Sequence, residues 1–470
     1  MAFWNRRKSL DVSTHIEASR QLKRTLSWPH LVALGVGAIV GTGIYTLTGE
    51  ASGMAGPAVI LSFLIAGAVC ACAALAYAEM ATMMPAAGSS YTYTYAVGGE
   101  LLAWIVGWSL ILEYTVVCSA VAVGWSGYAS GFLSSVGVHL PQALLAGPYA
   151  EGGVINLPAI FISLVVAGAL IAGTRESATV NVGLVIVKLV ALLIFIALAG
   201  SVFYADNFTP FMPYGFGAHE EGGQNHGVMA AAAIIFFAFY GFDAVSTAAE
   251  ETKNPSRDLK IGIIGSMIVC TVLYMAVAAA ALGAMLYTQF AADKEPLALI
   301  LRTLGHPQAA RLIGAAAILA LPTVILAFMY GQSRIFFVMA RDGLLPQQMG
   351  HVSARTGSPV TMTVLTAIVV SVIAGFAPLS KIVAVANAGT LCAFVAVIAC
   401  MLTLRVREPN RPRVFRAPWP WVVGIVGIPG CIYLFMSLTQ FTRTCFFIWN
   451  AVGLVVYFLY SIRASRLASQ

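Results

Sequence analysis

Gly35-Val36-Gly37-Ala38-Ile39-Val40-Gly41-Thr42-Gly43-Ile44-Tyr45 sets four glycines in the middle of an apolar run. Glycine in a helix interior is about 1 kcal/mol worse than alanine, so the cluster predicts local unwinding. Unwound backbone is tolerated at membrane depth only where it lines a cavity or is buried in protein. The N–H groups freed at the start of the outer half-helix would form a positive dipole end suited to a carboxylate. Gly37 and Gly41 are also a GxxxG pair, which alone reads as a close helix contact. A dinucleotide fingerprint is excluded, because the spacing is wrong and no strand pattern precedes it.

A second break matches the first. Phe236-Phe237-Ala238-Phe239-Tyr240-Gly241-Phe242-Asp243 puts a glycine and an acidic residue midway along another apolar run. The two runs are the first and sixth of twelve predicted spans, at 28–48, 57–84, 97–132, 155–173, 178–204, 227–249, 261–287, 309–340, 359–376, 382–404, 421–438 and 444–462. They are corresponding members of two five-helix units, 28–204 and 227–404. Spans 11 and 12 (421–462) follow, with tails at 1–27 and 463–470. Interrupted spans at corresponding places of an inverted repeat point to a binding site at the midplane. Phe237 and Tyr240 stand out because they flank the break.

Bulk properties agree. Of 470 residues, 59% are hydrophobic and 10% charged, and the mean hydropathy is +0.86. A soluble domain carries about 25% charged residues, whereas some twelve helices of about 20 residues suit a bilayer. The reading is an all-α polytopic membrane protein. The eight cysteines sit mostly in apolar runs without CxxC pairs, and the seven histidines form no HExxH pair. The first 27 residues are polar and lack a signal-peptide pattern, so the first span is expected to be retained.

The net charge of +7 is a topology signal. With the N-terminus in the cytoplasm, twenty Lys and Arg fall on the inside and five on the outside, with Lys188 in a span. That asymmetry predicts two cytoplasmic termini, and a nucleic-acid partner is unnecessary. Glu79, Glu250, Glu251 and Arg341-Asp342 fall near cytoplasmic helix ends, as gate or solvated-face residues.

Three charges lie within spans: Glu113, Lys188 and Asp243. Each costs about 2.5–3.5 kcal/mol at mid-bilayer, so a functional role is the default expectation. Lys188 falls ten residues into its predicted span, about 15 Å deep, and a lysine out of water there can lose and regain a proton. It can equally tether a broken helix through backbone carbonyls.

The stretches GAIVGTGIY (37–45), YAEMATMMPAAGSSYTY (77–93), GFDAVSTAAEETKNPSRDLKIGI (241–263) and YGQSRIFFVMARDGLLP (330–346) resemble the amino acid–polyamine–organocation superfamily. Within it the chain is similar to bacterial relatives of the cationic amino acid transporters. The resemblance runs from about Leu22 to Arg416. It implies a leucine-transporter-type fold of two intertwined inverted repeats with discontinuous helices 1 and 6, in the bacterial inner (plasma) membrane. It also implies alternating access, with an amino acid as substrate. Thr42 and Gly43 match the pair that holds the carboxylate, and the carbonyls of Ile39, Phe237, Ala238 and Tyr240 would take the amino group. Phe237 matches an aromatic gate. Lys188 takes the place of a sodium ion in sodium-coupled cousins, which implies a proton as coupling ion. Glu113 and Asp243 match acidic positions of helix 3 and of the helix 6 break.

The chain departs from the eukaryotic members in having twelve spans where those have fourteen. Ile325, between Val324 and Leu326, falls in the part of helix 8 expected to face the substrate side chain. A bulky apolar residue there favours a small or neutral substrate. Proton-coupled uptake is the expected activity, without a cofactor, and an accessory membrane subunit is compatible with it. The alternatives are exchange of cationic amino acids or polyamines, and a nutrient receptor of the same fold. An intramembrane enzyme would need a converging nucleophile and base, which no span supplies. A channel would need rings of like residues, and the internal repeat argues for a carrier.

Overall fold

A computed structural model describes residues 6–10, 26–86, 88–172, 177–222, 224–350 and 360–468. Arg20, Lys23, Arg24, Arg175 and Arg355, which contribute to the charge asymmetry, lie outside the described residues. The chain is mostly helical. The first glycine-rich run forms three pieces, α1 (Trp28–Ile39), α2 (Thr42–Tyr45) and α3 (Leu47–Ala55), and α4 (Val59–Met83) follows. Next come α5 (Ser89–Gly98), α6 (Glu100–Ser135), α7 (Leu157–Ala172) and α8 (Ser177–Gly200). A small hairpin of β1 (His219–Glu221) and β2 (Gln224–His226), paired antiparallel, leads into the second broken helix. Its halves are α9 (Val228–Phe239) and α10 (Phe242–Thr247). The rest is α11 (Pro255–Ala284), α12 (Tyr287–Phe290), α13 (Pro296–Thr303), α14 (Pro307–Arg341), α15 (Val360–Phe376), α16 (Leu379–Arg407), α17 (Pro420–Met436) and α18 (Gln440–Val456).

Among the described residues eight helical stretches are long and apolar enough to cross a membrane, and α1, α7, α15 and α17 are shorter apolar helices. The stretch Val228–Thr247, which contains the second break, has 94% of its most apolar window buried, against 22% for Gln440–Ala464. The broken helix is therefore central and the last helix peripheral. That burial is what permits irregular backbone at this depth.

α5 lies between the second and third predicted spans, where no helix is predicted. Its sequence SSYTYTYAVG has no apolar stripe, yet every residue from Ser89 to Val97 is buried. Its polar groups are used inside the protein. The Tyr91 hydroxyl donates to Asp342 at 2.7 Å and that of Tyr95 to Glu100 at 2.8 Å.

The charged helix ends on this face are paired rather than solvated. Arg405 and Arg413 hold the buried Glu79 at 2.5 and 3.1 Å. Glu251 pairs with Arg334 at 3.1 Å, and Glu250 with Arg341 at 3.8 Å. Lys8 reaches Asp342 at 2.5 Å and Arg6 reaches Glu100 at 3.2 Å, so the N-terminal segment lies against the same face.

Candidate substrate site at the helix breaks

α1 stops because Val40 turns extended (φ −74°, ψ 92°) and Gly41 follows at φ −143°, ψ −149°. A helix end leaves its last four carbonyls without intrahelical donors. Three of them find donors from other helices. Lys188 Nζ donates to Gly37 O at 2.7 Å and to Val40 O at 2.9 Å, and the Tyr274 hydroxyl donates to Ile39 O at 2.7 Å. Lys188 is fully buried. The tether expected from the sequence is thus in place, and the Ile39 carbonyl expected to take a substrate amine already accepts one hydrogen bond.

On the other side of the break, the Ile44 and Tyr45 N–H groups both close on Gly41 O. The N–H groups of Thr42 and Gly43 make no hydrogen bond among the described residues. The Thr42 hydroxyl is likewise buried and unpartnered. Three adjacent donors are thus without an acceptor among the described residues.

The second break turns on Gly241, at φ +119° in the left-handed region that favours glycine. Its N–H donates to Asp243 Oδ1 at 3.0 Å. The carbonyl of Phe237, four residues back, loses its helical donor in consequence. Asp243 Oδ2 accepts from the Tyr114 hydroxyl at 2.8 Å, fixing α10 to α6. The two breaks touch. A Cβ at Gly241 would come 3.0 Å from the Ala38 carbonyl carbon, and one at Gly43 would overlap the Cα of Ala238.

At this junction lies a small cavity. Its polar wall is Gly41, Thr42 and Gly43, with Ile39, Phe237 and Tyr240 beside them. Its apolar wall is Val117 and Val121 of α6 with Val324 and Phe328 of α14. No charged side chain lines it. The junction thus brings unpaired N–H donors of α2 opposite an apolar wall of four side chains.

Of the ten residues singled out in the sequence, Ile39, Thr42, Gly43, Phe237 and Tyr240 line the cavity. Ala238 lies behind Gly43. Ile325 is fully buried but does not line it; its carbonyl accepts from Cys118 Sγ at 3.6 Å. Val324 and Phe328, four residues apart on one helix face, take that position, and Val117 and Val121 repeat the spacing on α6. Period counting along spans 3 and 8 could have found these four valine and phenylalanine positions once one of them was placed.

Glu113, Lys188 and Asp243 are buried behind the cavity wall and outside its lining. Glu113 lies within electrostatic reach of Asp243. No cluster of three or more metal-ligating side chains occurs among the described residues.

Residues 26–460 match a family model described as amino acid permease. The chain is 44% identical over 466 residues to the branched-chain amino acid permease BcaP of Bacillus subtilis (strain 168), covering 98% of each chain. It is 41% identical over 464 residues to the methylthioribose transporter of the same organism, again covering 98% of each. Against the vacuolar cationic amino acid transporter 4 of Arabidopsis thaliana it is 36% identical over 413 residues, covering 86% of this chain and 67% of that one. These relatives are permeases and transporters rather than enzymes. With its apolar helices and a site built from two facing breaks, the chain is a multi-pass membrane protein that belongs to the amino acid permease family of the amino acid–polyamine–organocation superfamily.

Proposed function

We propose that the protein is a proton-coupled importer of L-amino acids with small, apolar, branched side chains, working by alternating access in a bacterial plasma membrane. The observation that carries this reading is the cavity at the breaks. Unpaired N–H groups of Thr42 and Gly43 face it on one side, while Val117, Val121, Val324 and Phe328 close the other. A carboxylate gains charge-assisted bonds at the first wall, and a short aliphatic chain fits the second. A cationic side chain would meet no carboxylate in that lining. The name of the B. subtilis branched-chain permease supports the same choice.

In this reading the chain crosses the membrane twelve times, as two inverted five-helix repeats plus α17 and α18, with both termini in the cytoplasm. The paired charges on the tail side form the closed inner gate. Lys188 is the proton-sensitive part. Protonated, it is a cationic donor to both Gly37 and Val40; neutral, it holds α1 more weakly, because hydrogen bonds from charged donors are about twice as strong. Glu113 and Asp243, two buried carboxylates behind the same wall, are the second place a proton can rest.

Uptake into proteoliposomes tests this. Labelled isoleucine or valine should accumulate saturably under an imposed inside-alkaline gradient, and arginine and methylthioribose should not. Counterflow without any gradient dependence would favour exchange instead, and binding without flux would favour a receptor.

A further inference from the structure

α18 is fastened to α6 by an exchange of indole donors. Trp108 Nε1 donates to the Trp449 carbonyl and Trp449 Nε1 to the Trp108 carbonyl, both at 2.9 Å. Trp104 Nε1 donates to Gly453 O at 2.8 Å. Just beyond, Tyr457–Ser461 form a turn of π-helix, an arrangement common at functional places in helices. From there to Arg466 the chain lies against the turn that ends α14. The Ser461 hydroxyl donates to Leu344 O at 2.7 Å, and the Arg466 N–H donates to Asp342 O at 3.1 Å. Between them a Cβ on Gly343 would come 2.4 Å from Ala464 O, so any side chain there would push the two backbones apart.

The same stretch meets a buried anion. Glu100, the first residue of α6, is fully buried. Its Oε1 accepts from the Tyr457 hydroxyl at 2.9 Å and from Arg6 at 3.2 Å. Its Oε2 accepts from the Tyr95 hydroxyl at 2.8 Å and from the Ser465 hydroxyl. Arg6 Nη1 also donates to Ile462 O at 2.9 Å. The N-terminal segment, α5 and the end of the chain thus share one carboxylate. A buried charge is tolerated only while its hydrogen bonds are made, so these contacts hold as a set. The turn they brace follows directly on Arg341, whose partner Glu250 stands just past α10.

We propose that the segment from Tyr457 to Arg466 is an autoinhibitory latch on the tail-side opening of the carrier. Docked, it braces the end of α14 and, through Glu100, keeps the N-terminal segment in place. Opening toward the cytoplasm requires it to lift. The latch is distinct from the ion pairs of the inner gate, and it rests on the alternating-access reading.

Ala249, just past α10, is fully buried, so Ala249→Cys reports opening by its reaction with a membrane-impermeant maleimide in inside-out vesicles. The otherwise unchanged full-length protein gives the background of the native cysteines. Adding Ser461→Ala and Ser465→Ala removes two hydroxyl contacts of the latch, and labelling should quicken about tenfold. Trp449→Phe loosens α18 from α6 but leaves the latch docked, and labelling should stay at the parent rate. Labelling unchanged by the double substitution, or quickened equally by Trp449→Phe, overturns the latch. An Ala249→Cys protein that stays unreactive in every variant, with and without substrate, instead defeats the alternating-access reading.

Discussion

Lys188 Nζ lies 2.7 Å from the carbonyl oxygen of Gly37 and 2.9 Å from that of Val40, so one buried ammonium bridges the last turn of α1 across its break. An unpaired charge at this depth would be costly, and so would two buried carbonyls with no donor. Each answers the other. The geometry also makes the break dependent on a single side chain of α8.

Lys188→Met keeps the length of the side chain and removes its donors. Leaving two carbonyls unsatisfied costs about 1–3 kcal/mol each, partly offset by no longer burying a cation. Gradient-driven accumulation should disappear while counterflow of labelled substrate survives at reduced rate. Accumulation that persists in the variant would remove Lys188 from the coupling step.

Gly241→Ala should abolish transport. The new Cβ meets the Ala38 backbone at 3.0–3.1 Å, and the left-handed conformation at φ +119° adds roughly 1–2 kcal/mol. Gly314→Ala is the contrasting change. That glycine lies inside α14, with nothing within 4 Å of its added Cβ, and it should gain about 0.5–1 kcal/mol of helix stability. Thermal unfolding and initial uptake rates, measured on both, check the pair.

Substrate choice should follow Val324 and Phe328, not Ile325. Val324→Ala opens the apolar wall and should raise the ratio of kcat/KM for leucine over valine roughly tenfold, within the range for one methylene. Ile325→Val should leave the ratio unchanged while costing about 0.5–1.5 kcal/mol of stability. A shifted ratio in the Ile325 variant would reverse this assignment.

The tail contact should be asymmetric. Lys8→Ala leaves Asp342 still accepting from Tyr91 at 2.7 Å, whereas Asp342→Ala leaves the Lys8 ammonium without its anion. Burial already pushes the Lys8 amine below its ordinary range, with Asp342 opposing that shift. Asp342→Ala should therefore release the segment around Lys8 more completely, read as faster protease cleavage there.

Much of this was legible in the sequence because its causes are local. Glycines at 35–43 and 241 in apolar runs predict breaks, since they weaken a helix wherever it packs. Lys188 within a span demands a partner whatever the fold. α5 was not legible. Its Ser, Thr and Tyr residues are buried by neighbours distant in the chain, and Tyr91 finds Asp342 251 residues away.

The membrane class, the two break points and the three intramembrane charges follow from the sequence alone, because hydropathy, glycine propensity and charge burial act residue by residue. Only the tertiary structure decided which face of α6 and α14 meets the breaks. A one-residue step turns a helical side chain by about 100°, which takes Ile325 out of the lining that Val324 and Phe328 form. It also decided that Glu113 and Asp243 stand behind the cavity rather than in it. Those outcomes depend on how helices far apart in the chain rotate against each other, and no single span carries that information.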